Sequence, residues 1–339
     1  MPFDPEGAVM VTGISGRLGR NLAAHLHREC HVVGIDRRPF PGRPKDVKHY
    51  EIDLRRKRVE EVFAKERIRA LIHMAIVHDP RLDAEEHHGV NVMGTRRMLD
   101  LCLRHGIRKV VVLSSATVYG PRADNTQFIT EDTPLMAAER FGDLRDLVQV
   151  DLDANTFLWK RPEVETAVLR PVHIVGNVGN AASNYLRLPR FPVAMGFDPM
   201  VQVIHEDDAV AAMMTALRPG VRGVFNVVGP DAIPLSCLLR EIGRPIVSIP
   251  TPILEPLVRT AFRLRLTSFA PVDVDHLRYV CMVDGSRFAS EAGFAPARSM
   301  RDIIRYFHDN WAGHERRSTG AGRRKPGLPH LEPGGRRRA

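Results

Sequence analysis

Cysteine is scarce in this sequence: four among 339 residues, at Cys30, Cys102, Cys237 and Cys281, with no C-x-x-C pair. That spacing excludes a disulfide framework and a thiolate zinc site, and reads as separate buried thiols in a reducing compartment. Aromatic residues are few as well, with only two tryptophans and five tyrosines. No stretch approaches the roughly 18 uninterrupted apolar residues of a membrane span. The opening Met-Pro-Phe-Asp-Pro-Glu has neither a basic segment nor an apolar core, so no secretory leader is expected and a cytoplasmic protein is the default. No metal-ligand set stands out. Glu85-Glu86-His87-His88 has the composition of one, but adjacent side chains on a helix point apart and the run reads as a solvated face.

The formal charge of +9 invites a nucleic-acid reading, yet its location argues otherwise. Residues 314–339 carry +6 of it, leaving +3 for the rest. This tail is rich in glycine and proline and nearly free of large apolar residues, so it is predicted to be disordered. It reads as a solvated terminus capable of weak contact with polyanions. No dedicated nucleic-acid or membrane partner is predicted.

What the sequence does have begins at Ala8. A hydrophobic content of 44% over this length supports one large α/β domain with an appendage, or two unequal domains. The run Ala8 to Arg20 places a short apolar strand before Gly13, Gly16 and Gly19. Leu18, Leu22 and Leu26 then recur as one face of a helix. A strand turning tightly into a helix on glycines aims free backbone N–H groups and the positive end of the helix at one point, where a pyrophosphate binds. The glycines serve the turn, the close approach of backbone to phosphate, and tight helix–strand contact. Their spacing is G-x-x-G-x-x-G rather than G-x-G-x-x-G.

Strand and helix then alternate. His31 to Ile35 is apolar and ends in Asp36, an acid about 20 residues past the glycines and so placed to accept both ribose hydroxyls of an adenosine. Its carboxylate repels a 2′-phosphate, which favours NAD over NADP, although Arg37 or Arg38 is placed to pair with that phosphate instead. Further strands are predicted at His49 to Ile52, Ala70 to Ala75, Lys109 to Leu113 and Thr166 to Arg170, with helices over Val90 to His105 and near 141–160. Repeated units of this kind predict an α/β fold with a doubly wound parallel sheet. Ile253 to Leu266 mixes leucines with Arg259, Arg263 and Arg265; it reads as a helix covering a cleft or as a basic membrane-surface helix.

Together these stretches resemble the extended short-chain dehydrogenase/reductases of the NAD-dependent epimerase/dehydratase family, typified by UDP-galactose 4-epimerase. The resemblance is carried by Thr12-Gly-Ile-Ser-Gly-Arg-Leu-Gly19, Asp36, Asp53-Leu54, His73-Met-Ala75, Asn91-Val-Met-Gly-Thr95, Ser114 to Gly120, Leu169-Arg-Pro171 and Val175-Gly176. Later come His205-Glu-Asp-Asp208, Gly223 to Gly229 and Val283-Asp284, so that it spans about residues 8–308. It implies a Rossmann sheet of about seven strands in an NAD-binding part, 1–177 plus 201–230. A smaller substrate part would be 178–200 plus 231–310. By the same resemblance Gly13, Ile14, Ser15, Gly16, Arg17, Leu18 and Gly19 hold the pyrophosphate and Asp36 the adenosine ribose, with Arg37 beside it. Asp53 and Leu54 flank the adenine, Met74 and Ala75 line the inner edge of the cofactor, and Asn91 and Ser115 belong to the catalytic set. The implied partners are a nucleotide sugar or related polyol and, as an open option, a second copy of the chain.

The departure from the family matters as much as the match. Its chemistry uses a tyrosine and a lysine four residues later, on the helix after the Ser-containing strand. The lysine charge favours loss of the phenol proton, and the phenolate takes a proton from a sugar hydroxyl while hydride passes to the nicotinamide. Here no tyrosine lies between Tyr119 and Tyr185, and none has lysine at the fourth place beyond it. One register puts Phe141 and Arg145 in those positions; another puts Asp143 and Leu147 there. Without its base, Ser115 either bonds a substrate hydroxyl or caps the strand end. His173, in the loop after the sixth strand, is either a substitute base or a packed, hydrogen-bonded histidine. Two functions stay open: an NAD-dependent nucleotide-sugar epimerase, dehydratase or oxidoreductase with a degenerate catalytic set, and a non-catalytic NAD(H)-binding regulatory or scaffold protein.

Overall fold

A computed structural model describes residues 7–77, 84–140, 144–178, 186, 190–264 and 271–309. The basic tail, Phe141 and Asp143 lie outside them. Its centre is a seven-stranded sheet built from β1 (Ala8–Thr12), β2 (Val32–Asp36), β3 (Lys48–Glu51), β4 (Ile68–His73), β5 (Lys109–Leu113), β6 (Glu165–Pro171) and β10 (Gly223–Val227). The order across the sheet is β10-β6-β5-β4-β1-β2-β3, and every neighbouring pair is parallel. β1 and β2 are buried along their whole length. Their continuous apolar runs suit strands covered on both faces. Helices α1 (Arg17–Leu26), α2 (Arg58–Lys65), α3 (Gly94–Arg104), α4 (Arg145–Lys160) and α5 (Glu206–Ala216) accompany the sheet. Two apolar clusters, one around Val9, Val11 and Leu22 and the other around Met10, Leu71 and Val110, draw on alternate residues of the same strands. The sheet is therefore a doubly wound Rossmann layer with a core on each face.

Chain order reverses between β1 and β4. Crevices form outside the carboxyl ends of strands at such a switch point. It is here that Gly13, Met74 and Ser114 leave their strands.

The second half of the chain adds β7 (His173–Val175), β9 (Met200–His205) and β11 (Ala232–Pro234) in one small sheet, and β8 (Phe191–Ala194) with β12 (Ile246–Ile249) in another. A third cluster, with Phe191, Val203, Leu238, Leu254, Val258 and Ile303, gives this region its own core. Helix α6 (Thr251–Arg263) buries Leu254 and Val258 there, while Ile253 and Leu257 stay exposed. None of the described helices is long and apolar enough to cross a membrane.

One buried polar network ties the two faces together. Arg170 on β6, 2% exposed, donates from Nε and Nη2 to the Asp151 carboxylate on α4 at 2.9 and 2.7 Å. Ser114 Oγ donates to the same carboxylate at 2.6 Å. Arg170 Nη1 donates to the Tyr119 hydroxyl at 2.7 Å, which in turn donates to Asn226 Oδ1 on β10 at 2.8 Å. Removing one member leaves an uncompensated charge out of water, which costs about 3–5 kcal/mol, whereas replacing both partners by apolar groups is often neutral. Urea unfolding should therefore show a loss of about that size for Asp151→Asn, and a smaller one for Arg170→Met combined with Asp151→Leu. Equal losses would mean that the pair does not act as a unit.

Candidate functional site

The turn after β1 explains its glycines. Gly13 has φ of 76°, a left-handed conformation, and a Cβ there would stand 3.0 Å from the Ala75 backbone. A Cβ on Gly19 would meet Gly13 O at 2.5 Å, so only glycine lets α1 come this close to the turn. Gly16 is the residue before α1; no side chain caps the helix and no acid lies in its first turn. The N-terminal amides of α1 are thus left to an anion, which the helix dipole also favours. Ile14 is fully buried and packs into the space over Gly34. Arg17 reaches the Val178 carbonyl, and Leu18 packs against the core.

Asp36 ends β2 and faces this turn. Its carboxylate accepts from Ser15 N at 3.1 Å and from Arg38 N at 2.9 Å, and Arg38 Nε and Nη2 add bonds of 3.1 and 3.2 Å. Arg38, not Arg37, is the guanidinium beside the acid. Arg37 pairs with Glu86 at 2.7 Å. Asp53 is held by Arg55 at 2.6 Å, which keeps its carboxyl below the usual range, and Leu54 is buried beside it.

Beneath the turn runs a directed chain of hydrogen bonds. Met74 N donates to Thr12 Oγ1, and that hydroxyl lies 2.8 Å from His73 Nδ1. His73 Nε2 lies 2.9 Å from Thr95 Oγ1, which donates to the Asn91 carbonyl. Each hydroxyl has one proton, so the chain makes His73 a neutral acceptor at Nδ1 and donor at Nε2. Burial pushes its pKa down to about 4. Asn91 sits in a π-helical turn, Gly89–Met93, and its side chain clamps the Val77 backbone by accepting from N and donating to O. Both of its polar atoms are engaged in holding the loop beside Met74 and Ala75.

Ser115, half-buried, caps the 3-10 turn Ala116–Tyr119, accepting from Thr117 N at 3.2 Å and Thr117 Oγ1 at 2.9 Å. Its own hydroxyl proton remains available to a substrate oxygen. Tyr119 is no substitute for the missing phenol: it is locked between Arg170 and Asn226, and burial pushes it up to about 12. On α4, Asp151 faces Ser114, and Leu147, buried one turn earlier, shares that face. Arg145 is exposed on another side. Beyond Ser115 a cavity opens, lined among others by Thr117, His173, Gln202, His276, Tyr279 and Cys281. His276 ends the short helix α7 (Pro271–His276). It escaped the sequence reading, as did Gln202 and Tyr279, because no local spacing relates them to Ser115. Among the described residues no group of three or more His, Cys, Asp or Glu could hold a metal ion. Glu86 and His88 instead pair with Arg37 and Asp146.

Comparison with known proteins agrees with this geometry. The model of the NAD dependent epimerase/dehydratase family matches residues 9–142. UDP-glucose 4-epimerase of Dictyostelium discoideum is 32% identical over 250 residues, covering 67% of this chain and 70% of its own length. An uncharacterised protein of Mycobacterium tuberculosis is 25% identical over 302 residues, covering 85% and 80%. A crystal structure of UDP-glucose-4-epimerase from Stenotrophomonas maltophila, with bound NAD and formylated UDP-arabinopyranose, superposes with a TM-score of 0.71 over 92% of this chain and 99% of that one, at 19% identity.

The His73 chain makes a testable link between pH and stability. An unfolded histidine takes up a proton near pH 6.5, whereas folded His73 resists until about pH 4. Its contribution is therefore complete above pH 6.5 and is lost as pH falls toward 4, by up to about 1.4 kcal/mol per pH unit. Urea unfolding between pH 6 and 4.5 should give a shallower slope for His73→Asn than for wild type. An unchanged slope would mean that His73 is protonated in the fold.

Proposed function

The chain belongs to the NAD-dependent epimerase/dehydratase family, and from that premise we propose that it binds NAD at the β1–α1 turn and acts on a nucleotide sugar. The observation that carries this reading is the uncapped glycine turn at the sheet's switch point, with Asp36 at the end of the next strand. Gly13 to Gly19 form the pyrophosphate cradle, because a Cβ at Gly13 or Gly19 would fill it with strain or collision. Asp36 takes the adenosine ribose hydroxyls, Asp53 and Leu54 stand at the adenine, and Met74 and Ala75 line the inner edge. Arg37 is drawn away to Glu86. That weakens the case for a 2′-phosphate and favours NAD over NADP.

The NAD-binding part is 1–177 with 201–230, and the substrate part is 178–200 with 231–310; the third apolar cluster, drawn mostly from the second set, supports that division, with Val175 and Val203 joining it from across the boundary. When bound, NAD supplies the hydride acceptor for a sugar carbon. The chain's own part is to orient the sugar, exclude water and manage the hydroxyl proton. Ser115 donates its free hydroxyl proton to a sugar oxygen, and Asn91 holds the loop along the cofactor through Val77.

A second reading, a non-catalytic NAD(H)-binding regulatory or scaffold protein, is favoured by α4. The face of α4 that meets Ser114 carries the buried Leu147, which supports the register with Leu147 and Asp143, rather than Arg145 and Phe141, at the family's lysine and tyrosine positions. A buried leucine cannot assist proton loss.

Titration calorimetry with both oxidised cofactors tests the binding site. NAD should bind at least about tenfold more tightly than NADP, a difference of about 1.4 kcal/mol. Equal or tighter NADP binding would show that Arg38 overrides Asp36. Losing one positioned acid or base costs about 10²- to 10⁴-fold. Against a typical turnover of about 10 per second, interconversion of UDP-glucose and UDP-galactose is therefore expected to be slow. Wild type assayed with excess NAD should fall below the double variant Asp143→Tyr, Leu147→Lys. Turnover of several per second in wild type would overturn the idea of an impaired catalytic set.

A further inference from the structure

The cavity beyond Ser115 holds two histidines in contact that come from distant parts of the chain. His173 stands at the start of β7 and His276 at the end of α7. Their ring centroids are 5.2 Å apart with the planes at 74°, an edge-to-face contact. Both rings line the cavity, as does Thr117, two residues past Ser115. Neither ring nitrogen has a hydrogen-bond partner among the described residues, in contrast to His73, whose two nitrogens are both engaged. Both residues are half-buried, and their nitrogens are open to the cavity rather than sealed in apolar surroundings. Two imidazoles in contact and facing one cavity can exchange hydrogen bonds with a ligand that carries hydroxyl groups.

We propose that His173 and His276 form a proton-accepting pair for a sugar hydroxyl, standing in for the tyrosine and lysine that α4 lacks. The proposal rests on the nucleotide-sugar reading and deepens it. The step balances as follows: the hydroxyl O–H breaks and its proton goes to an imidazole nitrogen, the C–H electron pair leaves with its hydrogen to bound NAD, and the C–O bond becomes a carbonyl. On return of the hydride the imidazolium gives the proton back.

Several features suit the pair to this task. Burial pulls His173 down to about 4 and His276 to about 3, the latter also through the charge of His173, so both are neutral at neutral pH; the same burial weakens them as bases, and the pair relies on the negative charge of a bound nucleotide sugar to hold the proton. A second proton would place two positive charges about 5 Å apart, so the pair takes one proton, the number released per hydroxyl oxidised. The other titratable groups of the cavity are less apt. Burial raises the Cys281 thiol to about 12, and its sulfur points at the Ala116 carbonyl. Tyr279 lies against Arg278 and Phe197, whose contacts are with its ring.

The experiment uses the full chain and three single variants, His173→Gln, His276→Gln and Tyr279→Phe, with NAD affinity measured on each to show that the fold and the cofactor site survive. Calorimetry without added cofactor compares UDP-glucose with UDP. Wild type should bind UDP-glucose more tightly, and either histidine variant should lose that advantage while keeping its affinity for UDP. Mixing NAD-loaded protein with UDP-glucose and following absorbance of the reduced cofactor should show a fall of about 10²-fold or more in either histidine variant. Added imidazole should restore part of the rate in a fourth variant, His173→Ala, which packing damage would not allow. Tyr279→Phe should stay near wild type. Histidine variants that keep both the sugar preference and the rate, or loss confined to Tyr279→Phe, would overturn the pair alone. Wild type that binds NAD yet neither prefers UDP-glucose over UDP nor reduces its cofactor would overturn the nucleotide-sugar reading and the pair with it.

Discussion

A guanidinium and a carboxylate shut away from water hold this molecule's site in place. Arg170 and Asp151 are 2% and 0% exposed, and neither tolerates loss of the other. Their bonds reach the end of β5 through Ser114, the turn after it through Tyr119, and the sheet edge through Asn226. Asn226 in turn fixes the strap at Ile129 and Glu131. The backbone on either side of Ser115 is thus tied down through Ser114 and Tyr119. Each additional bond to the charged pair also offsets part of the desolvation that burying it required.

The other half of the site is governed by space rather than charge. Gly13 and Gly19 let strand, turn and helix approach within a distance that no Cβ permits, and Gly34 makes room for Ile14. The chain from Met74 through Thr12, His73 and Thr95 to Asn91 then locks β4 to β1 below the turn. Anion-binding amides are held still by packing on one side and by a neutral histidine on the other. Such preorganisation lets a binding site act without reordering when its ligand arrives.

The two halves meet at the cavity beyond Ser115. α4 supplies the acid that holds Ser114, and the buried Leu147 lies one turn before it on the same face. The substrate side, in contrast, supplies His173 and His276 across a shared cavity.

Much of this was legible from the chain alone, for local reasons. Glycine spacing, the acid ending β2 and the repeated apolar runs are short-range patterns, and they determine the Rossmann layer and the place of its crevice. The parallel order β10-β6-β5-β4-β1-β2-β3 follows once such units alternate, apart from the entry of β10 at the edge. Only the tertiary structure decided that Arg38 rather than Arg37 lies on Asp36, since two adjacent arginines look alike until Glu86 claims one of them. It decided that Leu147, not Arg145, lies on the buried face of α4 that carries Asp151, because helix phase is fixed by the Asp151–Arg170 pair between α4 and β6. It also brought His276 to His173, a contact between residues more than a hundred positions apart. No periodicity encodes such a meeting; it exists because two separately built cores close over one cavity.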